Sequence, residues 1–429
     1  MRILHISPFY FPALGGAELH VKEISERLAS RGHDVTVVTA NVRSCWGLEQ
    51  GRHGALPEVE VINGVKVVRF RPDGGLVGKA IDKWLRLKGG YRSANLVLTA
   101  ERLEMLLRGP RIFQTIRYIL SCDAHLVASM HWYCSPSYYT YLARRFKRFT
   151  LVGFPHFHTA DTWSGRPIYQ KMLASCDALV VNTTHEANFI QERVATRVEV
   201  AGVGVDPISF EGRDGGAIRQ RYRLGKLPVV GFVGRQTPDK GVVKLLEAMK
   251  VVWKWNHEVR LLLAGTQGNH PNLVNAFIEG LSEYERERIV RINNFQDSDK
   301  PSIFDALDVL ALPSTAESFG ISYLEAWLCK KPVIGARIGS TQCVIREGVD
   351  GLLVDPKNHE EIAQAIIGLL SNPDIRDRMG TNGFAKTIAH HTWDKVTHKV
   401  EKLYSEQVAA REASRGPVVK SEWQTGQIS

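Results

Sequence analysis

The sequence predicts an α/β protein built from two doubly wound parallel sheets. Along most of its 429 residues, short apolar segments of strand length alternate with segments whose apolar residues recur at helical spacing. The alternation pauses over 202–228, a stretch rich in glycine and charged residues that we interpret as an interdomain linker. We therefore expect a first domain at 1–205 and a second at 206–390.

The N-terminal residues form a strand–helix–strand pattern. Arg2–Ile6 is apolar enough for a first strand, and Gly15 and Gly16 lie in the loop before a segment with helical periodicity. Glycine at such a crossover lets the backbone approach a ligand closely. The loop lacks the G-x-G-x-x-G pattern, so a dinucleotide site is disfavoured. The two glycines either face a ligand or only allow the turn.

A second strand-to-helix junction carries two cations. The apolar segment 229–233 is followed by glycine, Arg235 and Lys240, and then by a helical apolar pattern. Two cations five positions apart at such a junction can both point at one diphosphate, because arginine offers a planar fork and lysine a point charge. The alternative is a pair of solvated loop cations.

A third junction joins a buried strand at 309–312 to a helix that begins near Ile321, and it places two carboxylates eight positions apart. The first N–H groups of a helix have no intrahelical partner and favour anions, so the loop predicts a phosphate site. Glu325 lies about one turn into the helix, where it can accept hydrogen bonds from ribose hydroxyl groups. The alternative is that Glu317 caps the helix and Glu325 is a solvated carboxylate.

Two other polar loops contain residue types that bind metals. His156, His158 and Asp161 lack the helical spacing of a histidine pair, and no further ligand is apparent. Asp297 and Asp299 precede a helical pattern, and Asp299 or Ser298 as its N-terminal cap explains the pair. We therefore assign no metal ion to either loop.

The order of these motifs resembles that of retaining glycosyltransferase family 4, also called group 1, whose GT-B fold has two Rossmann-like domains facing a cleft. In that family the Gly-Arg and Lys-Gly cations hold the donor pyrophosphate, and the two glutamates flank the nucleotide-sugar. The glycine pair faces the donor phosphate across the cleft. By this match His158 is the counterpart of a family histidine close to the donor sugar, and His156 is a packed or hydrogen-bonded loop residue.

The resemblance implies retaining transfer of a hexose-type sugar from a nucleotide diphosphate sugar to a hydroxyl acceptor, such as a lipid-linked or polysaccharide precursor. It implies no cofactor and no metal ion. The acceptor would attack from the front face, and the leaving phosphate would take its proton. The implied catalytic residues are His158, Arg235, Lys240 and Glu317. The implied donor-binding residues are Gly15, Gly16, Arg235, Lys240, Phe319, Gly320, Ile321 and Glu325.

The resemblance also assigns individual roles around the donor. Glu317 would orient the sugar, Glu325 would bind the ribose, and His158 would contact a sugar hydroxyl group. The segment 339–343 departs from the family pattern, because it lacks the second glycine and the glutamate that members carry after Pro-Val. Contacts of those two residues at the donor sugar or the acceptor side therefore do not carry over.

Two other functions stay open at this point. A nucleotide-sugar epimerase also uses the GT-B fold, although the combination of paired cations and paired glutamates favours transfer. A catalytically silent sugar-binding protein could keep the same binding residues without turnover. Neither reading changes the predicted fold.

The C-terminal residues predict a helix at 393–404. In GT-B proteins such a helix crosses back to the first domain, so we expect 391–408 to do so. The polar residues 409–429 are expected to fray.

The charge distribution suggests a surface partner for the first domain. The net charge is +10, and residues 1–205 hold 26 Lys and Arg against 17 Asp and Glu. Basic residues interleave with apolar ones at 79–117 and 144–149. No nucleic-acid-binding motif accompanies them, so an anionic membrane surface or simple solvation explains the pattern better.

Composition also predicts the cellular location. The six cysteines are scattered without a C-x-x-C motif, and the chain contains no apolar run long enough to span a bilayer. The first residues are a strand rather than a signal peptide. We expect a cytoplasmic protein with reduced thiols, or one peripheral to the inner face of the membrane.

Overall fold

Two parallel sheets organise the chain in the computed structural model, which describes residues 1–13, 15–42, 56–72, 94–156, 165–266, 271–293 and 295–414. The described strands of the first half form one sheet in the order β3-β4-β2-β1-β5-β6-β7-β8, and those of the second half form another in the order β11-β10-β9-β12-β13-β14. The predicted architecture of two doubly wound α/β domains is therefore confirmed.

The first sheet contains the strands β1 Arg2–Ile6, β2 Asp34–Ala40, β3 Val59–Ile62, β4 Val65–Phe70, β5 Leu126–Met130, β6 Thr150–Phe154, β7 Ala178–Val181 and β8 Arg197–Val200. The second sheet contains β9 Val229–Val233, β10 Arg260–Ala264, β11 Ile289–Ile292, β12 Val309–Leu312, β13 Val333–Ala336 and β14 Gly351–Val354. All described pairings are parallel except the β3–β4 hairpin.

The helices connect these strands and cover the sheets. In the first domain they are α1 Gly16–Ser30, α2 Ala94–Leu107, α3 Gln114–Ser121, α4 Ser135–Ala143, α5 Pro167–Ala174 and α6 Thr184–Gln191. In the second they are α7 Gly215–Arg221, α8 Val242–Trp255, α9 Pro271–Glu279, α10 Glu283–Arg286, α11 Lys300–Asp305, α12 Ile321–Leu328, α13 Gly339–Val344, α14 His359–Ser371, α15 Pro373–His390 and α16 Trp393–Ala413. Among the described helices, none is long and apolar enough to cross a bilayer.

Burial explains why the central strands read as continuous apolar runs. Every residue of β5, β6, β9 and β12 is buried, because helices cover both faces of a parallel sheet. The β3–β4 hairpin closes the edge of the first sheet. Its two turn residues, Asn63 and Gly64, have φ of 47° and 82°, the left-handed pair that tight hairpins require.

Each sheet has a position where the strand order reverses. In the first sheet, β1 pairs with β2 on one side and with β5 on the other. In the second sheet, β9 pairs with β10 on one side and with β12 on the other. The loops that leave the carboxyl ends of such strand pairs part from one another and leave a crevice, which is where open α/β sheets bind ligands.

The last helix returns to the first domain. Its start pairs with the interdomain segment, because Val205 N–H donates to His391 O over 2.9 Å and Trp393 N–H donates to Val205 O over 3.1 Å. Farther along, Arg31 in α1 forms a 2.7 Å ion pair with Glu401. The helix continues to Ala413, so the expectation that the chain frays from 409 was wrong for 409–413.

The packing of the last turns explains that extension, since Arg411 lies 3.8 Å from Asp177. Residues 415–429 lie outside the described part of the chain. The predicted domain limits at 205 and 390 stay predictions, although the strands of the two sheets fall on either side of the first.

A buried polar chain fastens α16 to the first sheet. Ser25 donates its hydroxyl proton to Val21 O at 2.6 Å, so it must accept the 2.7 Å hydrogen bond from His5 Nδ1. His5 Nε2 is then bare and accepts from the Tyr404 hydroxyl at 3.2 Å. Burial lowers the pKa of His5 to about 3, so this neutral tautomer persists at neutral pH.

Substitution of Tyr404 by Phe should destabilise the protein by about 1–3 kcal/mol, because it leaves His5 Nε2 buried without a partner. The matched control is Tyr10→Phe. Tyr10 is equally buried, but its hydroxyl has no hydrogen-bond partner among the described residues. Thermal unfolding followed by circular dichroism should show a lower midpoint for Tyr404→Phe than for Tyr10→Phe. Equal midpoints would contradict the role of the hydrogen-bonded chain.

Candidate active site

The crevice of the second sheet is built from two loops that dock on each other. One follows β9 and the other follows β12. Thr315 N–H donates to Asp239 O over 2.8 Å, and Lys240 Nζ lies 2.7 Å from a Glu317 carboxylate oxygen. Gly241 has φ of 76° and packs so closely on Pro313 that a Cβ there would overlap the carbonyl oxygen. These contacts bring two of the sequence motifs together.

Arg235 and Lys240 lie on the same loop but differ in environment. The Arg235 side chain is exposed and makes no ion pair with any residue in the described ranges. Lys240 is mostly buried, with 18% of its side chain exposed. Gln236, between them, is fully buried and donates to Gly265 O at 3.2 Å. This hydrogen bond ties the loop to the end of β10. The loop therefore presents one exposed cation, Arg235, and one cation held by an ion pair, Lys240, at the same junction.

The N-terminus of α12 opens onto the same crevice. Gly320 precedes the helix with φ of 91°, and a Cβ at this position would overlap the ring of Tyr323. Tyr323 is fully buried, and its hydroxyl donates to Leu312 O at 3.1 Å. Ser322 donates to Val233 O at 3.0 Å, which ties the helix start to the end of β9. The first amides of α12 thus lie beside the loop that carries the two cations.

The second glutamate has a partner that the sequence did not reveal. Glu325 is buried, with 5% of its surface exposed, and its carboxylate contacts Nζ of Lys300. Burial opposes the charged form of Lys300, but its contacts with Glu325 and the charge of Asp297 outweigh this and raise its pKa. Glu325 is therefore not the solvated carboxylate of the alternative reading, and its negative charge is partly neutralised.

The aspartates before α11 do not act as the expected helix cap. Asp299 occupies the N-cap position of α11 but makes no side-chain hydrogen bond to that helix. Its carboxylate instead accepts from Gln296 N–H at 3.4 Å, within the short turn Asp297–Asp299. Pro301 lies in the first turn of α11 and has no backbone N–H group. A capping side chain therefore has one N–H donor fewer to accept from.

The glycine pair of the first domain lies opposite α12. Gly15 is the N-cap of α1, and both glycines are exposed. A Cβ at Gly16 would lie 3.8 Å from the side chain of Ile321 at the start of α12. Two helix N-termini thus face each other across the crevice. His158 lies outside the described residues, so its place relative to this site stays a prediction.

The segment that departs from the family pattern also touches this site. Ser340 stands where the second glycine is usual, and its hydroxyl donates to the backbone carbonyl of Glu317. Cys343 stands where a glutamate is usual and accepts from the Thr184 hydroxyl of the first domain at 3.2 Å. Cys343 thus makes an interdomain contact where family members carry an acidic residue, and Ser340 holds the backbone of Glu317 in place.

A histidine cluster that the sequence did not predict lies next to the glycine pair. His156 is hydrogen-bonded, as expected, and its partner is His20 in α1, with 3.1 Å between Nε2 and Nδ1. His131 Nε2 lies 3.6 Å from a carboxylate oxygen of Glu18. Burial lowers the pKa of all three histidines, to about 3 for His20. Spacing could not reveal them, because they come from three separate elements.

Two family models match the chain and together span most of it. The model of glycosyltransferase family 4 matches residues 14–208, and that of the glycosyl transferases group 1 matches residues 216–386. A D-inositol 3-phosphate glycosyltransferase of Acidothermus cellulolyticus is 28% identical over 96% of this chain and 90% of the relative. An uncharacterised glycosyltransferase of Methanocaldococcus jannaschii is 24% identical over 94% of this chain and 98% of the relative.

Solved structures share the architecture. The sucrose-phosphate synthase of Thermosynechococcus elongatus has a TM-score of 0.75 at 20% identity, covering 95% of this chain and 99% of that one. HepE of Anabaena, solved with UDP and glucose, has a TM-score of 0.72 at 18% identity, covering 95% and 100%. The fold is therefore GT-B. The two family models show that the protein is a glycosyltransferase. The chain belongs to glycosyltransferase family 4, group 1, as the motifs indicated.

Alanine at Gly320 should destabilise the second domain more than alanine at Gly348. Both glycines have positive φ, of 91° and 73°, so each substitution costs about 1–2 kcal/mol of backbone strain. Only Gly320→Ala also drives a Cβ into the Tyr323 ring, since Gly348 has open space around it. Thermal melts of the two variants should differ by several degrees. A Gly348→Ala midpoint as low as that of Gly320→Ala would contradict close packing at the α12 start.

Proposed function

We propose that the protein transfers a hexose-type sugar from a nucleotide diphosphate sugar to a hydroxyl acceptor, with retention of anomeric configuration and without a metal ion. The observation that carries this proposal is the convergence of Arg235, Lys240 and the α12 N-terminus at one crevice. Such a site offers two cations and backbone N–H groups to an anion. A diphosphate fits this donor set, because both of its phosphates can be bound at once.

The two domains would divide the substrates between them. We propose that 206–390 binds the nucleotide sugar and that 1–205 binds the acceptor, with Gly15 and Gly16 facing the donor phosphate. HepE of Anabaena was solved with UDP and also with UDP-glucose, which favours UDP-glucose as the first donor to test. The Acidothermus cellulolyticus relative, which this chain matches over 90% of its length, is named for inositol 3-phosphate. That name favours a polyol acceptor.

In the proposed mechanism, catalysis is mainly electrostatic. Negative charge grows on the diphosphate as the sugar bond breaks, and Arg235, Lys240 and the amides of Phe319, Gly320 and Ile321 would stabilise it. The acceptor attacks from the same face, and the leaving phosphate takes its proton. No carboxylate is assigned as a covalent nucleophile. This scheme needs no divalent cation, because protein groups neutralise the leaving group.

The glutamates would then orient the donor. We propose that Glu317 positions the sugar while it keeps Lys240 in place, and that Glu325 accepts hydrogen bonds from the ribose. Lys300 holds the Glu325 carboxylate from its other side, which would fix the direction of its free oxygen. His158 would contact a sugar hydroxyl group. Epimerase activity and silent binding are the competing functions, and product analysis separates them from transfer.

Alanine at Arg235 or Lys240 should lower kcat at least a hundredfold, equivalent to about 2.7 kcal/mol, by analogy with the loss of one oxyanion donor. Lys244→Ala is the matched control, because this lysine pairs with Glu247 on the surface of α8. UDP release from UDP-glucose should be followed with a panel of polyols and their phosphates, with and without EDTA.

Thermal shift with UDP, GDP and ADP should first identify the base, since a ligand at a hundredfold its Kd stabilises a protein by about 2.7 kcal/mol. Near-normal turnover in either Arg235→Ala or Lys240→Ala would remove the diphosphate assignment. Loss of activity in EDTA with rescue by Mn²⁺ would return Asp297 and Asp299 to consideration as metal ligands.

We also propose that the first domain contacts an anionic membrane surface through Leu120, Arg145, Phe146 and Arg148. Phe146 is 80% exposed and Leu120 is 37% exposed. Arg145 precedes Phe146 directly and Arg148 follows it after Lys147, and both arginines are exposed. Apolar side chains flanked by cations suit the interface of an anionic bilayer. This basic-aromatic surface joins the C-terminal end of α3 to the turn that precedes β6.

This surface lies away from the crevice of the first sheet. The turn precedes β6, so it lies at the amino ends of the strands, opposite the crevice. Two other cations of the run 144–149 have internal partners. Arg144 forms two hydrogen bonds with Asp177, at 2.6 and 2.8 Å, and Lys147 donates to carbonyls at the end of α3. Residues 79–93 lie outside the described residues.

The variant Arg145→Glu/Phe146→Asp/Arg148→Glu should lose binding to anionic vesicles while UDP binding stays unchanged. Arg144 is kept, because its reversal would break the pair with Asp177 and confuse folding with docking. The measurement is co-sedimentation with phosphatidylglycerol vesicles at low salt, where each cation contributes about 1 kcal/mol. Binding of the native protein to neutral vesicles, or to neither kind, would contradict the proposed membrane contact.

A further inference from the structure

The histidine cluster occupies the crevice of the first sheet. Its members are Glu18, His20, His131 and His156. His131 follows the end of β5 directly, and Glu18 and His20 lie in the first turns of α1, which is entered from β1. The strand order reverses between β1 and β5. The cluster thus has the same place in the first domain that the cations and the α12 N-terminus have in the second.

The backbone is strained where two of these histidines enter. His131 has φ of 57° and His156 has φ of 48°, a region that side-chain-bearing residues seldom occupy. They follow adjacent strands, since Met130 of β5 is aligned with Phe154 of β6. The two rings lie edge to face, with 5.4 Å between their centroids. Strain of this kind clusters at functional sites.

The cluster contains polar atoms with unused hydrogen-bonding capacity. Nδ1 of His131, Nδ1 of His156 and Nε2 of His20 are buried without a hydrogen-bond partner in the described part of the chain. Buried polar atoms are normally paired, so unpaired ones call for a ligand or for water. Among the described residues, no three such side chains converge well enough to hold a metal ion. Hydrogen bonding is therefore the chemistry that these atoms offer.

The hydrogen bond between His20 and His156 fixes what that pair offers. One of the two nitrogens in the bond carries the proton, and each neutral ring carries one proton in all. If His20 donates, its own Nε2 is bare and His156 Nδ1 carries a proton. If His156 donates, the two outer nitrogens exchange these roles. In both cases the pair leaves one N–H donor and one unprotonated nitrogen that can accept. A hydroxyl group can bind both, because it accepts one hydrogen bond and donates another.

His131 offers a bare nitrogen. Its Nε2 faces the Glu18 carboxylate at 3.6 Å, which favours the tautomer with the proton on Nε2. Nδ1 is then an acceptor, and it is the nitrogen that has no partner within the described ranges. A hydroxyl group placed against Nδ1 would donate its proton there. The arrangement of carboxylate, imidazole and hydroxyl group would fix the orientation of the acceptor in the crevice.

We propose that this cluster is the acceptor subsite and that it selects a neutral polyhydroxylated acceptor. His131 Nδ1 accepts a hydrogen bond from an acceptor hydroxyl group beside the reacting one, and the His20–His156 pair binds a further hydroxyl group. This inference rests on the proposed transferase function. The group bound here is neutral, because the cluster contributes a carboxylate and no positive charge. Burial supports this by lowering the pKa of each ring.

The test uses two substitutions of one residue in the full-length protein. His131→Phe keeps the ring but removes both nitrogens. His131→Asn keeps an acceptor, because its amide oxygen takes nearly the position of Nδ1, and asparagine tolerates positive φ. With UDP-glucose as donor, myo-inositol and inositol 3-phosphate are compared as acceptors, together with glucose and glucose 6-phosphate. The readouts are KM for acceptor and donor, kcat and the melting midpoint.

We expect a neutral polyol to be used, with its KM raised at least tenfold in His131→Phe and less than threefold in His131→Asn. The donor KM should change less than twofold in both variants. An unchanged acceptor KM in His131→Phe would overturn the inference and leave the transferase function standing. So would exclusive use of the phosphorylated acceptors, or equal impairment of both variants with lowered melting midpoints. If the native protein transfers no sugar from UDP-glucose to any of the four acceptors, the proposed function is wrong, and this inference fails with it.

Discussion

The candidate site depends on one ion pair, between Lys240 and Glu317. These residues lie 77 positions apart, and their 2.7 Å contact joins the loop after β9 to the loop after β12. Both side chains are largely shielded, with 18% and 14% exposed, so this is not an ordinary surface pair. The pair also sets the electrostatics of the crevice. The charge of Lys240 is already shared with Glu317, so Arg235 would supply the uncommitted part of the attraction for the proposed diphosphate.

The sequence could reveal the parts of this site that are encoded locally. Arg235 and Lys240 share one loop, and Glu317 and Glu325 share one loop and the helix after it, so spacing alone indicated their chemistry. Parallel strands also left a clear mark, because strands buried on both faces read as unbroken apolar runs. The predicted GT-B architecture followed from these two kinds of signal together.

Partners that come from distant elements could not be predicted in the same way. Lys300 reaches Glu325 only because α11 and α12 pack side by side, and no spacing rule encodes that. The histidine cluster draws on α1 and on the ends of β5 and β6, so each histidine looked isolated. The basic run near Phe149 shows the same limit. Its sequence shows the charges but not that Arg144 already pairs with Asp177, nor which end of the sheet it lies on.

The return of α16 to the first domain has a consequence for synthesis of the chain. His5 and its partner Tyr404 lie 399 positions apart, so β1 leaves the ribosome long before α16 is synthesised. The second domain is complete in sequence before that helix exists. Domains generally fold as units as they emerge, N-terminal first. Here the order of completion is reversed: the second domain can close its core while the first still exposes the apolar groove that α16 will fill.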